Sequence, residues 1–122
     1  MANTKDFKAK NRVTTDVLHE AVASVTSSSG AMTLDMASAG VFTTTLTEDT
    51  EITFTNVPAT GDVGAVTLVA TANSGSYALS YTNQVNFAGE TYEVDTDTWV
   101  LVFRTTNGGS YFDGTYAVKR AS

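Results

Sequence analysis

Few side chains in this 122-residue chain could do chemistry, and they come in blocks. Carboxylates cluster at Glu48, Asp49 and Glu51 and again at Glu90, Glu93, Asp95 and Asp97. Paired acids hydrolyse glycosides when their carboxyls stand roughly 5–10 Å apart, and oxygen-rich loops hold calcium. Neither run has the spacing of a helix-loop-helix calcium site or of a zinc site. Glu93, Asp95 and Asp97 are the candidates for a cation, set against the plainer reading of acids at turns and edges that keep a β protein soluble. His19 is the sole histidine, so any Ser-His-Asp relay must use it, and no G-x-S-x-G elbow accompanies it. It reads as a surface or interface residue, and no catalytic residue is assigned. The absence of cysteine excludes disulfides, thiolate metal sites and a cysteine nucleophile. Trp99, Tyr77, Tyr81, Tyr111 and Tyr116 offer the flat faces of a sugar-stacking platform. Trp99, however, lies in phase with Leu101 and Phe103 and reads as core. No cofactor is expected.

The remaining chemistry is electrostatic. No lysine or arginine occurs between Arg12 and Arg104, while the first twelve residues hold Lys5, Lys8, Lys10 and Arg12 against Asp6. Residues 1–12 sum to +3, residues 13–103 to −11 and residues 104–122 to +2, within a formal net charge of −6. The chain is a basic arm tied to an acidic body. Complementary potentials steer association and like charges repel, so the arm should seek an acidic surface that the body avoids. Eleven acids without a base exclude nucleic acid as a partner for the body. No secretion signal or membrane-length apolar run is expected, which predicts synthesis in a cytoplasm and no membrane partner.

These groups must be positioned by strands. Threonine is abundant, proline occurs once, at Pro58, and the composition favours pleated sheet. From Ala31 onward the hydrophobic period is two. Met32, Leu34 and Met36 alternate with Thr33 and Asp35; Phe42, Thr44 and Leu46 with Thr43, Thr45 and Thr47; Ile52 and Phe54 with Glu51, Thr53 and Thr55. Glu48-Asp49-Thr50 predicts a hairpin turn, and Gly61-Asp62-Val63-Gly64 the next turn. Ala65–Ala70 is apolar on both faces, as a central strand is. Tyr77–Tyr81, Val85–Phe87, Trp99–Phe103 and Tyr111–Val118 complete about eight strands, with Asn107-Gly108-Gly109 as a tight turn. The pattern predicts an all-β, antiparallel β-sandwich, jelly-roll-like, with connections too short for parallel crossovers.

Before Ala31 the period changes. Val17, Leu18, Ala21, Val22 and Val25 fall on one helical stripe, with Thr15 or Asp16 as N-cap, although an extended segment laid on a neighbour would show the same residues. Residues 1–30 therefore read as an extended or partly helical docking arm and linker, and residues 31–122 as the β-sandwich domain. One small domain gains stability by oligomerising, so a homo-oligomer is expected.

The run from residue 31 to 58, AMTLDMASAGVFTTTLTEDTEITFTNVP, resembles the β-sandwich repeat of tailed-bacteriophage virion proteins. The segments VNFAG at 85–89 and TWVLVFRTTNGGSYFDG at 98–114 are similar to later parts of the same repeat, and KDFKAKN at 5–11 to the lead-in of phage fibre and head-associated proteins. The resemblance implies a virion structural protein, a trimer packed round a threefold axis, without enzymatic activity.

Among virion roles, one arm and one small head fit a capsid decoration, or cement, protein on the outer capsid surface better than a tail fibre, which needs a shaft and a tip. In that reading Lys5, Lys8, Lys10 and Arg12 meet acidic residues of the major capsid protein, and Phe7, Val13, Val17 and Leu18 supply apolar contact from the same arm, with β-augmentation adding backbone pairing. Many copies per shell turn modest contacts into avidity. The alternative is a tail-fibre or receptor-binding adhesin that recognises host glycan; a third reading is a small carbohydrate-active enzyme using Glu90, Glu93, Asp95 or Asp97.

Overall fold

A computed structural model describes residues 21–86 and 93–121. Among these residues there is no helix, and ten strands form: β1 (Val22–Ser24), β2 (Ala31–Asp35), β3 (Val41–Leu46), β4 (Thr50–Thr55), β5 (Gly64–Ala72), β6 (Tyr77–Tyr81), β7 (Gln84–Asn86), β8 (Glu93–Val94), β9 (Thr98–Thr105) and β10 (Tyr111–Arg120). They make a six-stranded sheet in the order β1-β3-β5-β9-β10-β7 and a four-stranded sheet in the order β2-β4-β6-β8.

Alternation assigns each strand its buried face. In β5, Gly64, Val66, Leu68, Ala70 and Ala72 point inward, and in β9 Trp99, Leu101, Phe103 and Thr105 do so. Across from them stand Met32, Leu34, Ile52, Phe54, Leu79 and Val94 of the smaller sheet, all members of one hydrophobic core. Rings cross between the layers: Phe54 stacks on Phe112 at 4.2 Å between centroids, and Phe103 meets Phe54 at 5.2 Å and Tyr81 at 5.5 Å. Burial of each large side chain contributes roughly 1.5–3 kcal/mol. The two-layer, all-β architecture, the central place of β5 and the core position of Trp99 match the sequence reading.

The pairing corrects it. Five of the eight strand pairings are parallel: β1 with β3, β3 with β5, β2 with β4, β4 with β6, and β7 with β10. Only β5 with β9, β9 with β10 and β6 with β8 are antiparallel. From β1 to β6 successive strands alternate between the two sheets, so the chain winds as a flattened coil in which β1–β2, β3–β4 and β5–β6 are successive turns. This departs from the antiparallel, jelly-roll-like arrangement, whose Greek keys join antiparallel neighbours. The physical reason lies in the connections. A few residues cannot return a chain to a parallel neighbour in one sheet, but they span the ~10 Å to the facing sheet, and the strand laid there completes the crossover. The turn at Glu48-Asp49 is accordingly an arch between sheets, not the hairpin expected.

Stacking of coil turns places like on like: Phe42 beside Leu68, Leu46 beside Ala72, Thr45 beside Thr71, and Leu34 beside Phe54. The arches are fastened by their own acids. Glu48 Oε2 accepts from the Gly30 N–H (3.0 Å), Asp49 Oδ1 from the Ala78 N–H (2.9 Å), and Asp35 Oδ1 from both the Ala37 N–H (2.9 Å) and the Asn56 Nδ2 (2.7 Å). The Asn56 amide, then the Ala37 N–H, hold the Asp35 carboxyl below the usual carboxylate range. Glu48, Asp49 and Asp35 thus serve turns.

Strand β1 occupies Val22–Ser24, so Val22 of the proposed helical stripe lies in a strand, Ala21 and Val25 flank it, and Ala23 and Val25 pack on the core. The remainder of that stripe, Val17 and Leu18, and its caps lie outside the described residues.

Asn107-Gly108-Gly109 makes the β9–β10 hairpin, with φ of 71° at Gly108 and 86° at Gly109. At Gly109 a Cβ would meet Val57 Cγ1 at 3.1 Å, while the Gly109 N–H donates to Thr105 Oγ1 (3.2 Å) and its carbonyl accepts from Asn83 Nδ2 (2.8 Å). Gly109→Ala combines left-handed strain with this crowding and is expected to destabilise the fold by about 1–2 kcal/mol in urea titrations.

Candidate functional site

The carboxylates of the second acidic run are positioned by the entry into β9. Asp95 is fixed first through its backbone, whose carbonyl accepts from the Ala72 N–H at the end of β5 (2.8 Å). Its Oδ1 then accepts from the Asp97 N–H (2.9 Å) and from Trp99 Nε1 (2.9 Å). Lys119 arrives from β10 because that strand pairs antiparallel with β9 in the register Lys119 opposite Trp99, after an irregularity between Tyr116 and Val118. Its Nζ lies 3.0 Å from Asp95 Oδ2, 3.5 Å from Asp97 Oδ2 and 4.8 Å from the centroid of the Trp99 ring. Tyr116 packs edge-on to the same indole at 5.4 Å. One ammonium thus answers two carboxylates and an aromatic face.

Hydrogen bonds from Trp99, then Lys119 and the Asp97 N–H, pull the Asp95 carboxyl down to about 2. The hydrogen bond to Asp95 raises Lys119 in turn. A carboxylate whose pKa is depressed on folding contributes stability above its unfolded value of ~3.9, and that contribution fades as pH falls through the folded value. Asp95→Asn should therefore be less stable than the parent at pH 7, and the gap between them should narrow as pH is lowered from 4 towards 2. Thermal melts at fixed ionic strength check this.

The cluster is a clamp for the C-terminal strand. Of the three cation candidates, the structure brings Asp95 and Asp97 together but commits both to Lys119, and Glu93 stands apart on β8, where it accepts from Ser76 Oγ (3.3 Å). Among the described residues no group of three or more His, Cys, Asp or Glu side chains is arranged to hold a metal ion. Lys119 was not singled out from the sequence; Asp95 and Trp99, four apart at a strand entry, gave the only local hint.

The aromatic platform is not assembled either. Trp99 is buried and Tyr81 is packed against the core, where burial pushes its phenol upward. Tyr77 is half-buried and donates to Asn73 Oδ1 (2.8 Å). Tyr111 and Tyr116 are exposed, but their positions along β10 place them on opposite faces of the six-stranded sheet.

The arm residues Lys5, Phe7, Lys8, Lys10, Arg12, Val13, Val17 and Leu18, together with His19 and Glu90, lie outside the described residues.

Two outer faces complete the surface, and they differ in charge. The outward positions of the four-stranded sheet carry Asp35, Glu51 and Glu93 and no base among the described residues. Those of the six-stranded sheet carry valine and threonine across β1, β3, β5 and β9, with charge only towards the ends at Arg104, Asp113 and Arg120. Among the described residues, no helix is long and apolar enough to cross a membrane.

No known protein family, no curated protein and no solved structure matches this chain.

Proposed function

We propose that this chain is a structural protein of a tailed-bacteriophage virion, a capsid decoration (cement) protein that acts as a homotrimer on the outer surface of the head after assembly in the host cytoplasm. The observation that carries the reading is the division of charge, with Lys5, Lys8, Lys10 and Arg12 in the first twelve residues and eleven acids without a base in the next ninety-one. A polypeptide so divided docks by its arm on an acidic partner and holds its body away from that same surface. The resemblance of residues 31–58 and 98–114 to phage virion repeats supplies the partner, the major capsid protein. The coil with its pinned final strand supports a stiff head, since its ionisable cluster is spent on holding β10.

Arm residues Phe7, Val13, Val17 and Leu18 contribute apolar contact between capsid subunits, and repetition over the shell multiplies it. Co-sedimentation of purified protein with undecorated capsids tests this directly: saturable binding at a fixed number of copies per shell is expected, and no binding at micromolar protein refutes it.

A tail-fibre or receptor-binding adhesin is the second reading; Tyr111 and Tyr116, exposed on opposite faces of the sheet, are the side chains it would use. It requires glycan binding that is lost on replacing those tyrosines, and a silent glycan array removes it.

A further inference from the structure

The charge difference between the two outer faces assigns them different neighbours. On the six-stranded sheet the register lines up Val22, Val41, Thr67 and Val102 in one row across four strands, and Ser24, Thr43, Val69 and Val100 in the next. The valines at 41, 69, 100 and 102 are half-buried, and two of the most exposed large apolar side chains among the described residues, Val22 (64%) and Tyr111 (45%), lie on this same face. A groove of about 430 Å³ runs between Ser24, Thr43, Thr45, Val69, Thr71 and Thr98.

We propose that this face is a self-association surface and that its occupant is the six-stranded sheet of a second copy. Three observations select a copy of the same chain. First, the body of each copy is strongly acidic, and two such bodies approach without repulsion only through a surface that excludes acids. On this face the one acid among the described residues is Asp113, and it stands directly opposite Arg104 in the β9–β10 register, so each copy offers one charge of each sign at the same end. Second, a basic arm is drawn to acids and gains nothing electrostatically from a valine and threonine face, which argues against the arm as occupant. Third, the area is right. At ~3.3 Å along a strand and ~4.8 Å between strands, the six strands present roughly 600 Å² of sheet, close to the ~800 Å² per partner of a standard stable interface. Uncharged threonine suits such a contact because it packs closely without the desolvation cost of buried ions.

The proposal rests on the homo-oligomer part of the reading above, with a two-fold contact in place of the threefold one, and is tested without any virion. Sedimentation velocity of the full chain at micromolar concentration should give a discrete species with the mass of two copies, because a face packed on its own kind closes after two. Val69→Glu and Val102→Glu, on the two central strands, should weaken association ~100-fold or more and yield monomer, with far-UV circular dichroism unchanged. Thr53→Glu, on the outer face of β4, should leave the oligomer intact. Should a glutamate variant fail to fold, thiol labelling decides instead. The chain has no cysteine, so Thr67→Cys and Thr53→Cys, both half-buried in a single copy, each carry one reporter. Labelling at position 67 should be slower by roughly tenfold or more and become equal to that at position 53 on dilution to monomer. A protein that is monomeric throughout the micromolar range, an oligomer unmoved by both glutamates, or equal labelling in the oligomer overturns the proposal. None of these results involves a capsid, so each leaves the decoration reading to its own test.

Discussion

Phe103→Ala is expected to lower the unfolding free energy by about 3–5 kcal/mol. Phe103 is fully buried on β9, the strand between β5 and β10, and its ring touches Phe54 and Tyr81 of the opposite sheet. Truncation loses the transfer energy of the ring and leaves a cavity between two layers that cannot collapse, since both are hydrogen-bonded on either side of the gap. A domain of this size holds only about 5–15 kcal/mol in all, so the variant sits near the edge of folding. Urea titration should show the midpoint falling while the slope stays constant. Phe103→Leu keeps most of the volume and should cost less than about 1.5 kcal/mol. Equal, small losses for both variants would mean that the two sheets are not joined through this ring.

Deletion of residues 1–12 is the second large effect. It removes four of the seven basic residues of the chain, and with them the attraction that the proposed docking on an acidic capsid requires. Attachment should be lost, with occupancy falling ~100-fold or more because each copy loses several contacts at once. The head should melt as before, since the strands and core described above begin at Val22. Raising salt should mimic the deletion in part, because exposed charge pairs are screened. A truncated protein that decorates shells at normal occupancy would remove the arm from the mechanism and leave the sheet edges and faces to provide the contact.

The sequence made the strands legible and their neighbours illegible. Period-two alternation marked β2 to β7, β9 and β10, because each buries one face against a single core. It missed β1 and β8, which have three and two residues and cannot display a period. At β1 the spacing of Ala21, Val22 and Val25 imitated a helical stripe, although Ala23 and Val25 are the residues that pack inward. Pairing direction was lost for a different reason: Glu48-Asp49 has the residues of a hairpin turn and of an arch alike, and only the facing sheet distinguishes them. The partnership of Asp95 with Lys119 spans 24 positions and depends on the β9–β10 register, shifted between Tyr116 and Val118, which no local pattern reveals. The acidic run itself was visible; that its charge is met by an ammonium over an indole was not.

Localisation of the protein on intact particles by cryo-electron microscopy, with copy number, tests the decoration reading most directly. Hundreds of copies arrayed over the head, with density for the arm running between capsid subunits, are the expected result. A few copies confined to the tail would contradict it.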